Sequence, residues 1–316
     1  MTQGDLIRKD ILPFLPARIK NLFLNLDDNH YGGLEEIRLR QGKPLCLRIG
    51  EQDFTFDVRG RLVLNLANGF TVSSEDIQRT VASISENSLY AFEDDIGRGF
   101  ITIPGGHRVG LAGQAVLSSN QIRTMKHFSG VSFRIAREVP GCAEGIVGFI
   151  GARGWPPGNT LLISPPRCGK TTILRDLARI LSNGTHLHRG CNVVIVDERS
   201  ELAGTYQGHA QMDVGLRTDV LDGCPKAAGM IMAIRSLGPQ VIVTDEIGRR
   251  EDVDAISDCV NAGVSVVTSI HGRDVDEVRK RPLIRELLDS NAFVNGIVLS
   301  RRKGPGTIDN MIRWDS

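Results

Sequence analysis

Residues 164–172 have the composition of a loop that binds the phosphates of a nucleotide. The segment reads Ser-Pro-Pro-Arg-Cys-Gly-Lys-Thr-Thr, and its Gly-Lys-Thr matches the end of the G-x-x-x-x-G-K-[ST] pattern. In such loops the backbone amides surround phosphate oxygens at the positive end of the following helix. We predict that Lys170 contacts the β- and γ-phosphates and that the Thr171 hydroxyl binds Mg²⁺, with ATP and Mg²⁺ as the cofactors.

The loop departs from this pattern at its beginning. Ser164 replaces the first glycine, and the two prolines that follow lack an amide hydrogen. Because both prolines come early, the amides of residues 167–171 remain to face the β-phosphate. An ordinary strand-to-helix turn with one surface lysine is the competing explanation. The candidate cofactor-binding residues are Ser164, Pro165, Pro166, Arg167, Cys168, Gly169, Lys170, Thr171 and Thr172.

A strand and a helix must hold the loop in place. Residues 161–163 are apolar and predict a buried strand, while 171–181 place their apolar side chains on one helical face. Three later runs are also apolar and rich in β-branched residues, at 193–196, 241–244 and 264–269. Such runs, alternating with helices, are typical of parallel strands buried on both faces. We therefore predict an α/β domain with a parallel sheet over residues 159–316.

Two of these strands end in acidic pairs, Asp197-Glu198 and Asp245-Glu246. Ligands of open α/β sheets bind beyond the carboxyl ends of the strands, so both pairs should lie near the phosphate loop. Hydrolysis needs one acid for Mg²⁺ and another that orients or deprotonates water. We predict Asp245 as the metal ligand and Glu246 as the base, with Glu198 as the alternative base. Acids that merely cap the following elements are the competing explanation.

A histidine and an arginine complete the predicted catalytic set. His271 follows the strand at 264–269, where it could hydrogen-bond the γ-phosphate, although a structural role is the alternative. P-loop enzymes also commonly supply an arginine to the transferring phosphoryl group. Five arginines are candidates: Arg217 and Arg235 in the nucleotide domain, and Arg108, Arg134 and Arg137 before it. We select Arg134, although its alternating strand pattern equally allows a solvent-facing position.

The first half of the chain has the pattern of a smaller α+β domain. Alternating apolar and polar residues predict hairpins over 34–56 and 100–116, with a capped helix between them. Glycine and proline clusters then bracket a short helical piece. We predict an N-terminal α+β domain over residues 1–140 and a linker region over 141–158.

Bulk properties exclude several classes of protein. The 38 basic and 37 acidic residues of the 316 nearly cancel, which argues against nucleic acid as a partner. The six cysteines form no C-x-x-C pair, as expected for reduced thiols of a cytosolic protein. No apolar run approaches the roughly 20 residues that cross a bilayer. Any membrane role is therefore predicted to depend on a partner.

Four segments resemble, in order, the sequence boxes of the secretion ATPases, which drive type II and type IV secretion and pilus retraction. They are the phosphate loop and the segments 197–202, 239–246 and 269–272. Where that superfamily usually has glycine before the Walker B glutamate, this chain has Asp245. The additional acid is similar to an ordinary Walker B strand and favours hydrolysis.

Longer segments are similar to the stage III sporulation protein AA family: 34–40, 103–113, 133–138, 217–226, 245–249 and 304–307. Arg167 departs from that family, in which a neutral residue is usual. The resemblance implies a cytoplasmic ATPase, peripheral at the membrane through the integral membrane proteins of a channel between mother cell and forespore. Similarity to secretion ATPases also implies a RecA-like P-loop ATPase domain over residues 159–316. It further implies a homo-oligomer, a hexameric ring with nucleotide between the two domains.

Three functions therefore compete. The favoured one is a motor ATPase that energises a secretion-like complex. A nucleic-acid-dependent ATPase is disfavoured because the charge is balanced and no aromatic-rich basic stretch is present. A non-hydrolysing scaffold switched by nucleotide is disfavoured because the loop and both acidic pairs are intact.

Overall fold

The computed structural model describes residues 2–88, 92–118 and 121–314, and it contains two seven-stranded sheets. Each sheet belongs to one of two units, Met1–Ala136 and Arg137–Ser316. No helix among the described residues is long and apolar enough to cross a membrane.

The first unit is built on an antiparallel sheet with the strand order β4-β3-β2-β1-β7-β6-β5. Its strands are β1 (Leu34–Arg40), β2 (Cys46–Ile49), β3 (Gln52–Phe56), β4 (Leu62–Val63), β5 (Phe100–Ile103), β6 (His107–Ser118) and β7 (Gln121–Arg134). Its helices are α1 (Gln3–Asp10), α2 (Ala17–Lys20), α3 (Asp28–Gly33), α4 (Ser74–Ile84) and α5 (Glu93–Arg98).

Alternation along the strands places the core of this unit on one face of the sheet. In β1 the side chains of Leu34, Ile37 and Leu39 are fully buried, whereas Glu35 and Arg40 are exposed. Helix α4 begins at a capping box in which the side chain of Ser73 accepts a hydrogen bond from the amide of Asp76. The predicted hairpins and capped helix are therefore present.

The second unit is a doubly wound α/β domain with the strand order β10-β9-β11-β12-β8-β13-β14. Its strands are β8 (Thr160–Ser164), β9 (Val193–Asp197), β10 (Thr218–Asp222), β11 (Val241–Thr244), β12 (Ser265–His271), β13 (Asn295–Ser300) and β14 (Thr307–Arg313). Its helices are α6 (Glu144–Gly151), α7 (Lys170–Asn183), α8 (Lys226–Ser236), α9 (Arg250–Asn261), α10 (Val275–Arg279) and α11 (Pro282–Asp289).

Every strand of the second sheet is parallel to its neighbours except β14, which pairs antiparallel with β13. Alternate side chains of each central strand enter different cores. In β8, Leu162 packs with residues of α6 and α7, whereas Leu161 and Ile163 pack with α8, α9 and α11. Burial on both faces explains the continuous apolar runs and confirms the α/β prediction, with β10, β13 and β14 as additional strands.

The segment predicted as a linker, 141–158, differs from that expectation. It lies within the second unit, and α6 occupies its middle. Ile146, Val147 and Ile150 of this helix are buried against the sheet. Because these apolar side chains contribute to the core of the nucleotide domain, the segment is part of that domain, which begins at residue 137.

Candidate nucleotide site

The predicted phosphate loop turns between β8 and α7. Two of its residues have a left-handed backbone, Arg167 with φ 61° and Gly169 with φ 87°. A side chain at Gly169 would stand 3.1 Å from the backbone nitrogen of Gly306, so glycine serves both the conformation and the close approach. The first amides of α7, which begins at Lys170, have no carbonyl partner within the helix and can bind an anion.

Three side chains from three elements form a hydrogen-bonded chain beside the loop. The Nζ atom of Lys170 lies 2.6 Å from Nδ1 of His271, whose Nε2 atom lies 2.9 Å from Oε2 of Glu246. An ammonium can only donate, so Nδ1 accepts and the imidazole proton is on Nε2, where it is donated to Glu246. Burial lowers the pKa of Lys170, and the charge of Glu246 opposes this shift.

The other predicted acids meet at a lysine that the sequence analysis did not identify. The Nζ atom of Lys226 lies 2.5 Å from Oε2 of Glu198 and 3.1 Å from Oδ1 of Asp245. Burial raises the pKa of Asp245, and Lys226 opposes this effect. Partial burial also works to raise the pKa of Glu198, but the hydrogen bond and charge of Lys226 outweigh it and lower that pKa.

Asp197 has a local structural role. Its carboxylate is fully buried and accepts hydrogen bonds from the amides of Glu201 at 2.8 Å, Leu202 at 2.8 Å and Ala203 at 2.9 Å. Burial raises its pKa to about 6, against these amide hydrogen bonds. Asp197 therefore fixes the turn after β9, and this turn presents Arg199 and Glu201 to the site.

A cavity of about 380 Å³ brings most of the predicted residues together. Of the predicted set, the residues that line it are Pro166, Arg167, Gly169, Lys170, Thr171, Thr172, Asp245, Glu246 and His271. Ser164 and Cys168 are buried in the base of the loop, and the hydroxyl of Ser164 donates to the carbonyl of Pro165. Glu198 is directed to Lys226 and does not line the cavity.

The candidate arginines lie in several places. Arg134 is exposed at the end of β7 in the first unit, in register with Arg108. The guanidinium of Arg108 lies 3.7 Å from the ring centroid of Phe100.

The other candidate arginines belong to the second unit. Arg217 donates to the carbonyl of Ser182, at the end of α7 opposite the phosphate loop. Arg235 is exposed near the end of α8. The carbonyl of Arg137, at the start of the second unit, accepts a hydrogen bond from Arg175.

Several functional candidates were missed by sequence reasoning. Arg199, Glu201 and Pro305 also line the cavity. The first two lie inside the acidic segment 197–202, which was a usable signal. The loop between β13 and β14 gave a weaker signal, its Gly-Pro-Gly sequence. In the structure the amide of Gly306 in this loop donates to the carbonyl of Cys168 at 2.8 Å. This bond links the phosphate loop to the loop between β13 and β14, two strands that the sequence did not predict.

The residues present fit a magnesium–nucleotide complex. The loop supplies amides at a helix N-terminus, and Thr171 and Asp245 line the same cavity with oxygen atoms of the kind that Mg²⁺ binds. Among the described residues no group of three or more histidine, cysteine or acidic side chains could hold a metal ion. Magnesium at nucleotide sites takes one or two protein ligands and completes its shell with phosphates and water, so these two oxygens suffice.

Comparisons with known proteins agree with this architecture. The chain is 38% identical over 307 residues to Stage III sporulation protein AA of Bacillus subtilis, covering 97% of this chain and 95% of the relative. It is 33% identical over 160 residues to SEEDLING PLASTID DEVELOPMENT 1 of Arabidopsis thaliana, covering 50% of this chain and 22% of that protein.

Two solved structures have the same fold. The Legionella pneumophila ATPase DotB superposes with a TM-score of 0.58 at 15% identity, covering 90% of this chain and 76% of DotB. The pilus retraction motor PilT gives a TM-score of 0.55 at 14% identity, covering 91% of this chain and 77% of PilT. The profile described as "Sporulation stage III, protein AA" matches residues 6–313. The chain therefore belongs to the sporulation stage III protein AA family.

Proposed function

We propose that this chain hydrolyses ATP with Mg²⁺, as the motor ATPase of a secretion-like complex. The observation that carries the proposal is the convergence of the phosphate loop, Asp245, Glu246 and His271 on one cavity. A phosphate loop alone would account for nucleotide binding. A carboxylate held by an imidazole at the same cavity adds a group that can accept a proton from water.

The contacts around the cavity support a role for each of these residues. Lys170 now donates to the carbonyls of Ser164 at 3.3 Å and Pro165 at 3.5 Å, and exchanges these contacts for phosphate oxygens. Thr171 and Asp245 would hold Mg²⁺, which would supply positive charge to neutralise the phosphates. His271 donates from Nε2 and keeps Glu246 facing the cavity, where this carboxylate accepts a proton from the attacking water.

The biological role that we propose is to energise a membrane channel between mother cell and forespore. Membership of the sporulation family and the secretion-ATPase fold support this role. In this proposal the protein is a cytoplasmic homo-hexamer, peripheral at the membrane through the integral membrane proteins of the channel. The balanced charge of the chain provides no general attraction for nucleic acid.

Steady-state phosphate release, measured on monomeric and oligomeric fractions separated by size, tests the proposal. We expect Mg²⁺-dependent release that is greater in the oligomer. Nucleotide binding without release in any fraction would instead support the non-hydrolysing scaffold. Release that requires single-stranded DNA or RNA, and that falls with salt, would support the nucleic-acid-dependent ATPase.

A further inference from the structure

Lys226 occupies a position at which a lysine is locally unfavourable. It is the first residue of α8, where the helix dipole disfavours a positive charge, and only 7% of its surface is exposed. Burying an ammonium without compensation costs several kcal/mol. The contacts of Lys226 must therefore compensate for the burial of its ammonium and for its position at a helix N-terminus. A residue that is locally unfavourable in this way is typical of a functional position.

Two carboxylates provide the compensation, and they come from neighbouring strands. Glu198 follows β9 and Asp245 follows β11, and these strands pair in parallel with Thr244 opposite Val196. Lys226 Nζ contacts both carboxylates, at 2.5 Å and 3.1 Å. One ammonium thus joins the carboxyl ends of two adjacent strands at the edge where the ligand of such a sheet binds.

The lysine lies behind the cavity. Asp245 lines the cavity, whereas Lys226 and Glu198 do not. The Oδ1 atom of Asp245, which faces Lys226, is inaccessible to solvent. An ion pair to this buried oxygen fixes the rotation of the carboxyl group and leaves its other oxygen for the cavity.

We propose that Lys226 is a positioning residue that orients Asp245 for Mg²⁺ and holds Glu198 away from the metal. The inference rests on the proposed function, because it concerns the same site. Without the ammonium, two carboxylates at adjacent strand ends would repel each other, and Asp245 would lose the contact that sets its orientation. Lys226 acts through Asp245 and does not itself touch the nucleotide.

The test measures how nucleotide binding depends on Mg²⁺, with a fluorescent ADP analogue as the probe. Its affinity is determined in EDTA and over a Mg²⁺ titration for wild type, Lys226→Met and the exposed control Lys280→Met. We expect Lys226→Met to raise the Mg²⁺ concentration for half-maximal enhancement by about tenfold or more, as loss of an outer-shell partner does. Affinity in EDTA should change less than twofold, and Lys280→Met should match wild type in both measurements.

A second variant covers the possibility that Lys226→Met does not fold. In Lys226→Met/Glu198→Gln the repelling charge is also removed, so we expect a folded protein with part of the Mg²⁺ affinity restored. Unchanged or tighter Mg²⁺ binding in Lys226→Met, or unfolding of both variants by circular dichroism, overturns the inference. If wild type itself shows no nucleotide binding, the proposed function fails, and the two results are thereby distinguished.

Discussion

His271 and Lys170 are in direct contact, with Nδ1 of the imidazole 2.6 Å from Nζ of the ammonium. The histidine ends β12 and the lysine begins α7, so the contact links two elements on either side of the cavity. Because His271 also donates to Glu246, the lysine and the carboxylate share one imidazole. Movement of Lys170 toward a phosphate would therefore release Nδ1, which relates phosphate binding to the hydrogen bonding of His271.

The first prediction concerns the phosphate loop. Lys170→Ala should lower phosphate release by at least about 100-fold, because a charge-assisted contact to the phosphates is lost. Far-ultraviolet circular dichroism should be unchanged, since Lys170 is half-buried and contributes to the site. The exposed variant Lys280→Ala serves as the control and should retain full turnover. Undiminished release in Lys170→Ala would refute the assignment of the loop.

The second prediction separates the two candidate bases. Glu246 lines the cavity and bonds His271, whereas Glu198 bonds Lys226 outside it. Glu246→Gln should retain binding of a fluorescent ATP analogue and lose hydrolysis, because an amide cannot accept the proton. Glu198→Gln should lose much less turnover when Mg²⁺ is saturating. If Glu198→Gln lost hydrolysis and Glu246→Gln kept it, the roles of the two glutamates would have to be exchanged.

The third prediction separates backbone strain from close approach at the loop. Gly169 and Gly263 both have positive φ, 87° and 73°, but only Gly169 stands against another backbone, that of Gly306. Replacement of either by alanine should lower the free energy of unfolding by about 1 kcal/mol. Only Gly169→Ala should also weaken nucleotide binding, as measured by fluorescence titration. Equal binding in both variants would contradict a role for the Gly306 contact.

The fold was predictable because burial on both faces leaves a strong sequence signal. The runs at 193–196 and 241–244 contain almost no polar residue, and both are central strands. Strand β10 was missed because its residues Thr218–Asp222 include two acids and are only partly buried. The helix in 141–158 was expected, but its burial in the second core depends on tertiary packing that no local pattern reveals.

The residues of the candidate site were predictable where they lie next to each other in the sequence. The loop and the acid pairs are contiguous in sequence, and parallel strands place their ends at one edge. Lys226 could not be found in this way, because its partners Glu198 and Asp245 are 28 and 19 positions away on other elements. The distinct roles of Asp197 and Glu198 also could not be predicted. Adjacent residues at the end of a strand point to opposite sides, and the pair alone does not reveal which residue faces which side.

The fourth prediction concerns pH. Burial raises the pKa of Asp197 to about 6 from an ordinary value near 3.8, so the folded state retains its proton more readily than the unfolded state. The associated loss of stability is absent below about pH 4, develops as pH rises to 6, and reaches about 3 kcal/mol at most.

Urea unfolding followed by tryptophan fluorescence measures this effect in the second unit alone, because Trp155 and Trp314 both lie there. Between pH 4 and pH 6, wild type should lose more stability than Asp197→Asn, which does not titrate. The variant should be less stable than wild type at pH 4, since its amide group cannot accept all three backbone hydrogen bonds. Parallel pH profiles for the two proteins would contradict the raised pKa.

The last prediction is that Arg134 completes the site of a neighbouring subunit. An arginine that stabilises the transferring phosphoryl group acts mainly in the transition state, so Arg134→Ala should lower kcat much more than ATP affinity. Arg40→Ala, an exposed arginine on β1 of the same sheet, is the matched control and should leave kcat unchanged. Mixing inactive Arg134→Ala and Lys170→Ala subunits should restore activity, because one interface then combines an intact arginine with an intact lysine. If the arginine acts within its own subunit, mixing will not restore activity. Equal kcat for wild type and Arg134→Ala would confine the chemistry to the second unit.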